Sequence, residues 1–330
     1  MRLGKVKESI LKRSVLRQLH TERSIISSQY RENVGFFPVE DVLVKVDPIE
    51  GWTLAAHRAV YGALNSLAAA NADPVGMVPI ILMPKETEEQ CLKRLMQEID
   101  SLCRQEAMCC LAGHTAVSPH VDTLILSVTA VGKKKVPVEK NSNEKELLWT
   151  EKTVHPDRDI VVAGTVGREG AAMLVWEREE ELCTRYPKFF IEEAKHIFED
   201  ASMKKAADLA RKAGASYVHA IGEGGIFAGL WELSTVGKVG MCIELKEIPI
   251  KQHTIEVCEY FHLNPYMLYS GGTLLLVCDH GERTVAALRQ EGIPAAVVGR
   301  TTSGNDKIIR YDDEVRYLEP PKEDEYYKCI

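Results

Sequence analysis

A chain of 330 residues, 45% hydrophobic and 27% charged, is long enough for two domains with full cores and ordinary in composition for a soluble globular protein. Its net charge of −7 argues against nucleic acid as a partner, since phosphate-backbone binding normally shows as a basic patch or stripe. No apolar run approaches the ~20 residues that span a bilayer and no signal pattern opens the sequence, so a cytoplasmic protein without a membrane partner is expected.

Arg2, Lys5, Lys7, Lys12, Arg13, Arg17 and Arg23 make the first residues basic. They read as the solvated face of a helix over 3–20, whose apolar positions are Ile10, Leu11, Val15, Leu16 and Leu19. The β-branched run Val42 to Asp47 predicts a strand that exits at Asp47-Pro48. A helix rich in small residues follows over 53–72, then a strand from Met77 to Met83 closed by Pro84. Residues 86–106 carry the cleanest helical period, with Cys91, Leu92, Leu95, Met96, Ile99, Leu102 and Cys103 on one face. Strands at 109–111 and 123–131 flank a Gly113-His114-Thr115 turn.

Between 133 and 147 the pattern dissolves into charged and turn-forming residues, which marks a boundary between domains at 1–142 and 143–330. Beyond it come a strand at 160–163, a glycine-rich turn at 164–170, helices at 189–199 and 202–213, and a strand at 217–221. The turn Gly222-Glu223-Gly224-Gly225 leads into a helix over 226–234. A strand at 241–245, a helix at 253–261, a strand at 273–278, a helix at 282–291 and a strand at 295–298 complete the alternation. The pattern predicts a mixed α/β (α+β) fold in both halves. Nine cysteines contain no CxxC pair, and most fall in apolar periodic segments, so they read as buried reduced thiols.

Several landmarks occur in a fixed order: Asp47-Pro48; Asn65-Ser66 followed by Ala72-Asp73-Pro74; Gly113-His114-Thr115; Gly164-Thr-Val-Gly167-Arg-Glu169-Gly170; His219-Ala-Ile-Gly-Glu-Gly-Gly225; Ile248-Pro249; and Leu263-Asn264-Pro265. Together they resemble the PurM/HypE/SelD/ThiL superfamily of AIR-synthase-related proteins, over about residues 4–325. The resemblance implies a two-domain PurM-like fold. The N-terminal domain would form a dimeric β-barrel, hence a homodimer, the second would be an α/β domain, and ATP would lie between them. The HypE branch looks closest, which implies hydrogenase-maturation proteins as partners and ATP-dependent activation of a carbonyl or amide oxygen.

Carried over residue by residue, the resemblance gives Asn65, Gly113, His114, Thr115, Glu223, Gly224 and Gly225 to ATP or another phosphorylated ligand, and Asp47 to Mg²⁺. Glycine turns suit anions because bare N–H groups can approach phosphate oxygens, and a carboxylate suits a hard cation. Plain readings stand beside these: an Asx turn at Asp47-Pro48, a tight turn at Gly113, a satisfied strand-end histidine at His219, and helix-terminal charge compensation at Glu169. His219 and Cys329 are the catalytic candidates, since HypE proteins end in a cysteine that accepts a carbamoyl group and is dehydrated to a thiocyanate. Here the ending is Tyr-Tyr-Lys-Cys329-Ile330, without Pro-Arg-Ile before the cysteine. After Pro320-Pro321, the run Lys-Glu-Asp-Glu is expected to leave Cys329 mobile and exposed.

Three departures remove carboxylates that the superfamily uses: Ser66 follows Asn65, Ala220 follows His219, and no Gly-Asp-Asp-Ala segment precedes the strand at 42–47. They leave open a second reading, a catalytically degenerate dimeric binding or scaffold protein of the same fold.

Overall fold

The computed structural model describes residues 34–37, 42–135 and 154–330. The basic helix expected over 3–20 and the boundary expected at 142/143 lie outside the described residues. Those residues fall into two compact units.

The first unit contains β1 (Val34–Phe37), β2 (Val42–Glu50), α1 (Ala55–Ala69), β3 (Ala72–Met83), α2 (Glu89–Gln105), β4 (Cys109–Cys110), β5 (His114–Val117) and β6 (Ile125–Lys134). Its sheet runs β1-β2-β6-β3-β4, with β5 also beside β3. Strict alternation sends Leu43, Leu126, Val128, Ala130 and Ile81 to the face covered by α1. Buried alanines at 55, 56, 59, 63, 68 and 69 let that helix lie close, and α2 packs on it in turn.

The opposite sheet face is also apolar. Val46 and Val78 both pair with Thr129, Val44 pairs with Val131, and Ile80 lies opposite Ser127. Val46 is 45% exposed and Ile80 41%. Among the described residues the sheet is open, so they do not close the β-barrel expected from the resemblance.

Three prolines lie inside strands, one of them, Pro48, where an exit was predicted. β2 continues through Pro48 to Glu50, because β1 pairs only with residues 42–45 and leaves the far half of β2 as an edge that tolerates proline. In β3, Pro74 sits at a register shift, and Pro79 falls between the residues that pair with β4 and those that pair with β5. His114 and Thr115 do not stay in the expected turn. They open β5, drawn into parallel pairing with Ile80 and Ile81 on the edge of β3.

The second unit contains β7 (Asp159–Ala163), α3 (Arg168–Glu177), α4 (Glu179–Leu182), α5 (Lys188–Lys195), α6 (Lys204–Lys212), β8 (Ala215–Ile221) and α7 (Gly225–Gly237). After these come β9 (Gly240–Glu244), α8 (Gln252–Tyr260), β10 (Thr273–Cys278), α9 (Gly281–Gln290), β11 (Ala295–Thr302), β12 (Lys307–Tyr311) and β13 (Glu314–Tyr317). The sheet order is β13-β12-β9-β11-β7-β10-β8, antiparallel throughout except for β9 with β12. Ile160, Val162, Tyr217, Leu275 and Val277 form one core with Ile226, Leu230 and Leu233 of α7. The alternate strand residues face the other side, where α6 and α9 pack.

β10 lies between β7 and β8 and is antiparallel to both, so its beginning meets the ends of the other two. Three loops therefore meet at one end of the sheet. In this unit α3, the short α4 and the β12–β13 hairpin have no counterpart in the sequence reading. α3 is buried on nearly every side from Arg168 to Val175, so it shows no amphipathic period, and the β12–β13 hairpin consists of short, charged strands that end the sheet.

Candidate functional site

The three loops are Gly164 to Gly167 after β7, Gly222 to Gly224 after β8, and Ser270-Gly271-Gly272 before β10. Gly167 and Gly224 cap α3 and α7 in the left-handed region, with φ of 70° and 78°. The loops hold one another directly. Gly167 N–H donates to Ser270 Oγ at 2.7 Å, and Ser270 N–H donates to the Gly222 carbonyl at 3.1 Å. Arg168 donates to the Gly272 carbonyl at 2.7 Å, and Gly271 N–H donates to Glu169 Oε2 at 2.8 Å. Arg168 and Glu169 are both buried by this exchange. At Gly272 (φ 74°) a Cβ would stand 1.9 Å from Arg168 Nη2, so this glycine is required by the chain's own packing.

α3 and α7 thus present two helix N-termini at the same end of the sheet, where first-turn N–H groups lack intrahelical acceptors and the helix dipole favours anions. At α7 an anion is already supplied. Asp324 Oδ2 accepts from Gly224 N–H at 2.6 Å, and Oδ1 accepts from Tyr326 N–H at 3.0 Å. Burial pushes the Asp324 carboxyl up to about 7, the charges of Glu223 and Glu169 add to that rise, and the two backbone hydrogen bonds offset part of it.

The residues around Asp324 are docked on the same unit. Glu325 accepts from Asn264 N–H at 2.9 Å, the Tyr326 hydroxyl bonds both carboxylate oxygens of Glu177 at 2.8 and 2.9 Å, and Arg178 donates to the Cys329 carbonyl. Residues 325–328 form a 3₁₀ turn capped by the Asp324 side chain. The expectation of an exposed, mobile Cys329 is therefore corrected. The acids after Pro320-Pro321 find backbone donors to satisfy them, Asp324 and Glu325 are buried, and Cys329 is half-buried. Burial raises its thiol, and the carboxylates of Glu181, Glu325 and Glu177 act in the same direction against Arg178.

His219 sits on the β8 face that carries α7, with Nε2 3.0 Å from Glu232 Oε2 of that helix. It stacks on Tyr217 at 6.1 Å. Glu223, Gly224 and Gly225 are brought together with Asp324 and Glu169, as the loop geometry requires.

In the first unit the candidates separate. Asp47 pairs with the buried Lys45 at 3.2 Å and lies against Gly62 of α1, about one turn from the buried Asn65. Ser66 spends its hydroxyl on the Gly62 carbonyl at 2.8 Å. Gly113, His114 and Thr115 are exposed at β5, three strand spacings from β2 across β6 and β3, roughly 14 Å. Within this unit alone, Asp47 and the 113–115 segment do not share a site. Among the described residues no group of three or more His, Cys, Asp or Glu side chains could hold a metal ion.

Sequence reasoning missed Arg168, the Ser270-Gly271-Gly272 loop, Glu232 and Asp324. The paired glycines before β10 were a legible signal for a close backbone approach. Asp324 gave none, because only the fold shows which N–H it meets.

The arrangement agrees with two domain profiles. That of the AIR synthase related protein N-terminal domain matches residues 37–133, and that of the C-terminal domain matches residues 156–312. The chain belongs to the AIR synthase related protein family. Among curated relatives of this family member, a provisionally named hydrogenase expression/formation protein of Methanocaldococcus jannaschii is 22% identical over 324 residues, covering 93% of this chain and 90% of that protein. Carbamoyl dehydratase HypE of Rhodobacter capsulatus is 24% identical over 261 residues, covering 76% and 71%. Of solved structures, a chain of a HypE–HypF complex superposes with a TM-score of 0.75 at 17% identity, covering 94% of this chain and 99% of that one. HypE in complex with ATP gives 0.72 at 16% identity, covering 98% and 97%. The AIR synthase related chain described here therefore has the two-domain, mixed α/β PurM-like fold.

Proposed function

We propose that this AIR synthase related protein is a HypE-like, ATP-binding component of hydrogenase maturation. The observation that carries the reading is the glycine loop Gly222 to Gly225 at the N-terminus of α7, joined through Ser270 to the loop that opens α3 at the same end of the sheet. Bare N–H groups at a helix start suit phosphate oxygens. Relatives named as carbamoyl dehydratases and a HypE solved with ATP support the same assignment. On this reading Glu223, Gly224 and Gly225 contact the phosphorylated ligand. Asn65, Gly113, His114 and Thr115 belong to the nucleotide site, and Cys329 is the residue whose modification decides whether the chain performs the HypE reaction.

The residues in hand do not fit a Mg²⁺ ion. Asp47, the candidate ligand, is ion-paired with Lys45, Ser66 hydrogen-bonds its own helix, and no acidic group of sufficient size exists among the described residues. No step is therefore assigned to a metal. Exposed Val46 and Ile80, on the face of the first sheet opposite α1, support a homodimer in which a second copy covers that face, closing the barrel expected from the superfamily resemblance. No helix among the described residues is long and apolar enough to cross a membrane. A cytoplasmic protein working with a HypF-type partner is the setting that suits this reading.

Intact-mass analysis after incubation with ATP, carbamoyl phosphate and a HypF-type carbamoyltransferase tests the assignment. A carbamoyl or dehydrated adduct on the wild type that is absent from Cys329→Ala is expected. An unmodified chain beside a modified HypE control would contradict the maturation role.

A further inference from the structure

Three cysteines, Cys103, Cys109 and Cys110, lie close together in the chain, and the fold separates them by exposure and by face. Cys103 stands in the last turn of α2 and is buried, with its Sγ 3.3 Å from Met77 Sδ of β3. α2 ends at Gln105, Ala107 turns the chain in the left-handed region at φ 55°, and Met108 N–H donates back to the Cys103 carbonyl at 2.8 Å. The chain thus reverses tightly and enters β4 against the helix it has just left. There Cys110 pairs in register with Met77, and Met77 with Ala130. Residues in register share a face, so Cys110 lies on the helix-covered side with Cys103, while alternation turns Cys109 to the opposite side.

The outcome is a hydrogen-bonded pair of thiols in which Cys103 is buried and Cys110 is exposed. Burial pushes the Cys103 thiol up to about 12, and the nearby Cys110 adds to the rise. Burial raises Cys110 too, but its hydrogen bond with Cys103 acts the other way. That sign makes Cys103 the donor, since an S–H that donates stabilises a thiolate on its acceptor. Such a pair divides the work of thiol–disulfide exchange. The exposed sulfur is the one a reagent reaches, and the buried one is held protonated beside it until a mixed disulfide forms.

We propose that Cys103 and Cys110 are a redox modification site, which a low-molecular-weight disulfide converts to an intramolecular disulfide. The Cys110 thiol gives up its proton and attacks one sulfur of the small disulfide, whose S–S bond breaks as one small thiolate leaves and takes up a proton. Cys103 then loses its proton and attacks Cys110 Sγ, and the second small thiolate leaves with a proton in its turn. The protein is oxidised by two electrons and loses two hydrogen atoms, and the small disulfide is reduced to two thiols. The new bond fastens the end of α2 to β4, just ahead of Gly113, His114 and Thr115. A second copy seated over Val46 and Ile80 lies on the side of the sheet away from Cys110.

The test incubates the reduced, folded chain with glutathione disulfide, blocks the remaining thiols with iodoacetamide, and maps peptides by mass spectrometry without reduction. Tryptic cleavage after Arg104 puts Cys103 and Cys110 on different peptides, so their bond appears as a cross-link, and fragmentation tells Cys110 from Cys109. A Cys103–Cys110 cross-link that dithiothreitol removes is expected, with the exposed Cys91 and Cys183 carrying at most glutathione adducts. Cys103→Ser should lose the cross-link and hold a stable glutathione adduct on Cys110, and Cys110→Ser should leave Cys103 as the free thiol. A lasting glutathione adduct on wild-type Cys110, a link from either residue to Cys109, or wild-type Cys103 recovered unoxidised would overturn the proposal. The wild-type map needs no variant, so a substitution that disturbs folding does not remove the test.

Discussion

His219 on β8 and Glu232 on α7 stand 3.0 Å apart, Nε2 to Oε2, with both side chains largely shielded from solvent. The strand that enters the Gly222 loop and the helix that leaves it are thereby clamped to each other. A histidine spent in this way positions the loop, and its ring lies on the helix-covered face of the sheet. His219→Ala should cost roughly 1–3 kcal/mol of stability, the usual penalty for breaking a buried polar pair. Denaturant unfolding checks the cost. Wild-type stability combined with complete loss of ATP-dependent modification would make His219 a catalytic residue instead.

Asp324 makes docking of the C-terminal segment pH-dependent. Its ordinary value of 3.8 rises to about 7 in the folded chain, through burial first and the charges of Glu223 and Glu169 next. For an acid whose folded value is raised, the stabilising contribution is complete below the unfolded value and is lost as pH climbs through the folded one. Docking of residues 320–330 should therefore weaken between about pH 4 and pH 7. Hydrogen exchange of peptides from this segment, corrected for the intrinsic pH dependence of exchange, should show falling protection across that window. Protection that grows with pH would contradict the assignment.

Val46 and Ile80 are exposed on the face of the first sheet opposite α1. If a second copy covers that face, a charge placed there must be buried without a partner. Val46→Glu combined with Ile80→Glu should shift the chain from dimer to monomer by light scattering at micromolar concentration. A wild-type monomer under the same conditions would remove the dimer from the account.

Gly272→Ala tests the interlocked loops directly. The substitution adds a Cβ at φ 74° and 1.9 Å from Arg168 Nη2, so strain and overpacking act together. A loss of about 2–4 kcal/mol is expected. A neutral effect on the unfolding midpoint would show that Arg168 moves freely and that the loops are not locked.

Much of the fold was legible in the chain because its strands and helices have clear periods. The 86–106 pattern became α2, and the all-buried run Thr273 to Cys278 became β10, held between β7 and β8. Misreadings arose where tertiary context overrode a local rule. Pro48 lies within β2 because the far half of that strand is an edge, and α3 was invisible because it is buried all round. The loop at Gly222 to Gly225 was legible from its glycines and from the ordered landmarks. Its occupant was not, since Asp324 and Gly224 are 100 residues apart and a solvated-looking acidic run carries no sign of the N–H group it will meet.

ATP binding itself is the most direct test of the central assignment. Thermal unfolding of the full chain with increasing ATP should show saturable stabilisation, reaching ~2.7 kcal/mol when free ATP is about 100 times its Kd. Calorimetric titration should give a single nucleotide site per chain. No stabilisation and no binding heat at millimolar ATP, for a chain whose unfolding shows it to be folded, would contradict the HypE-like reading.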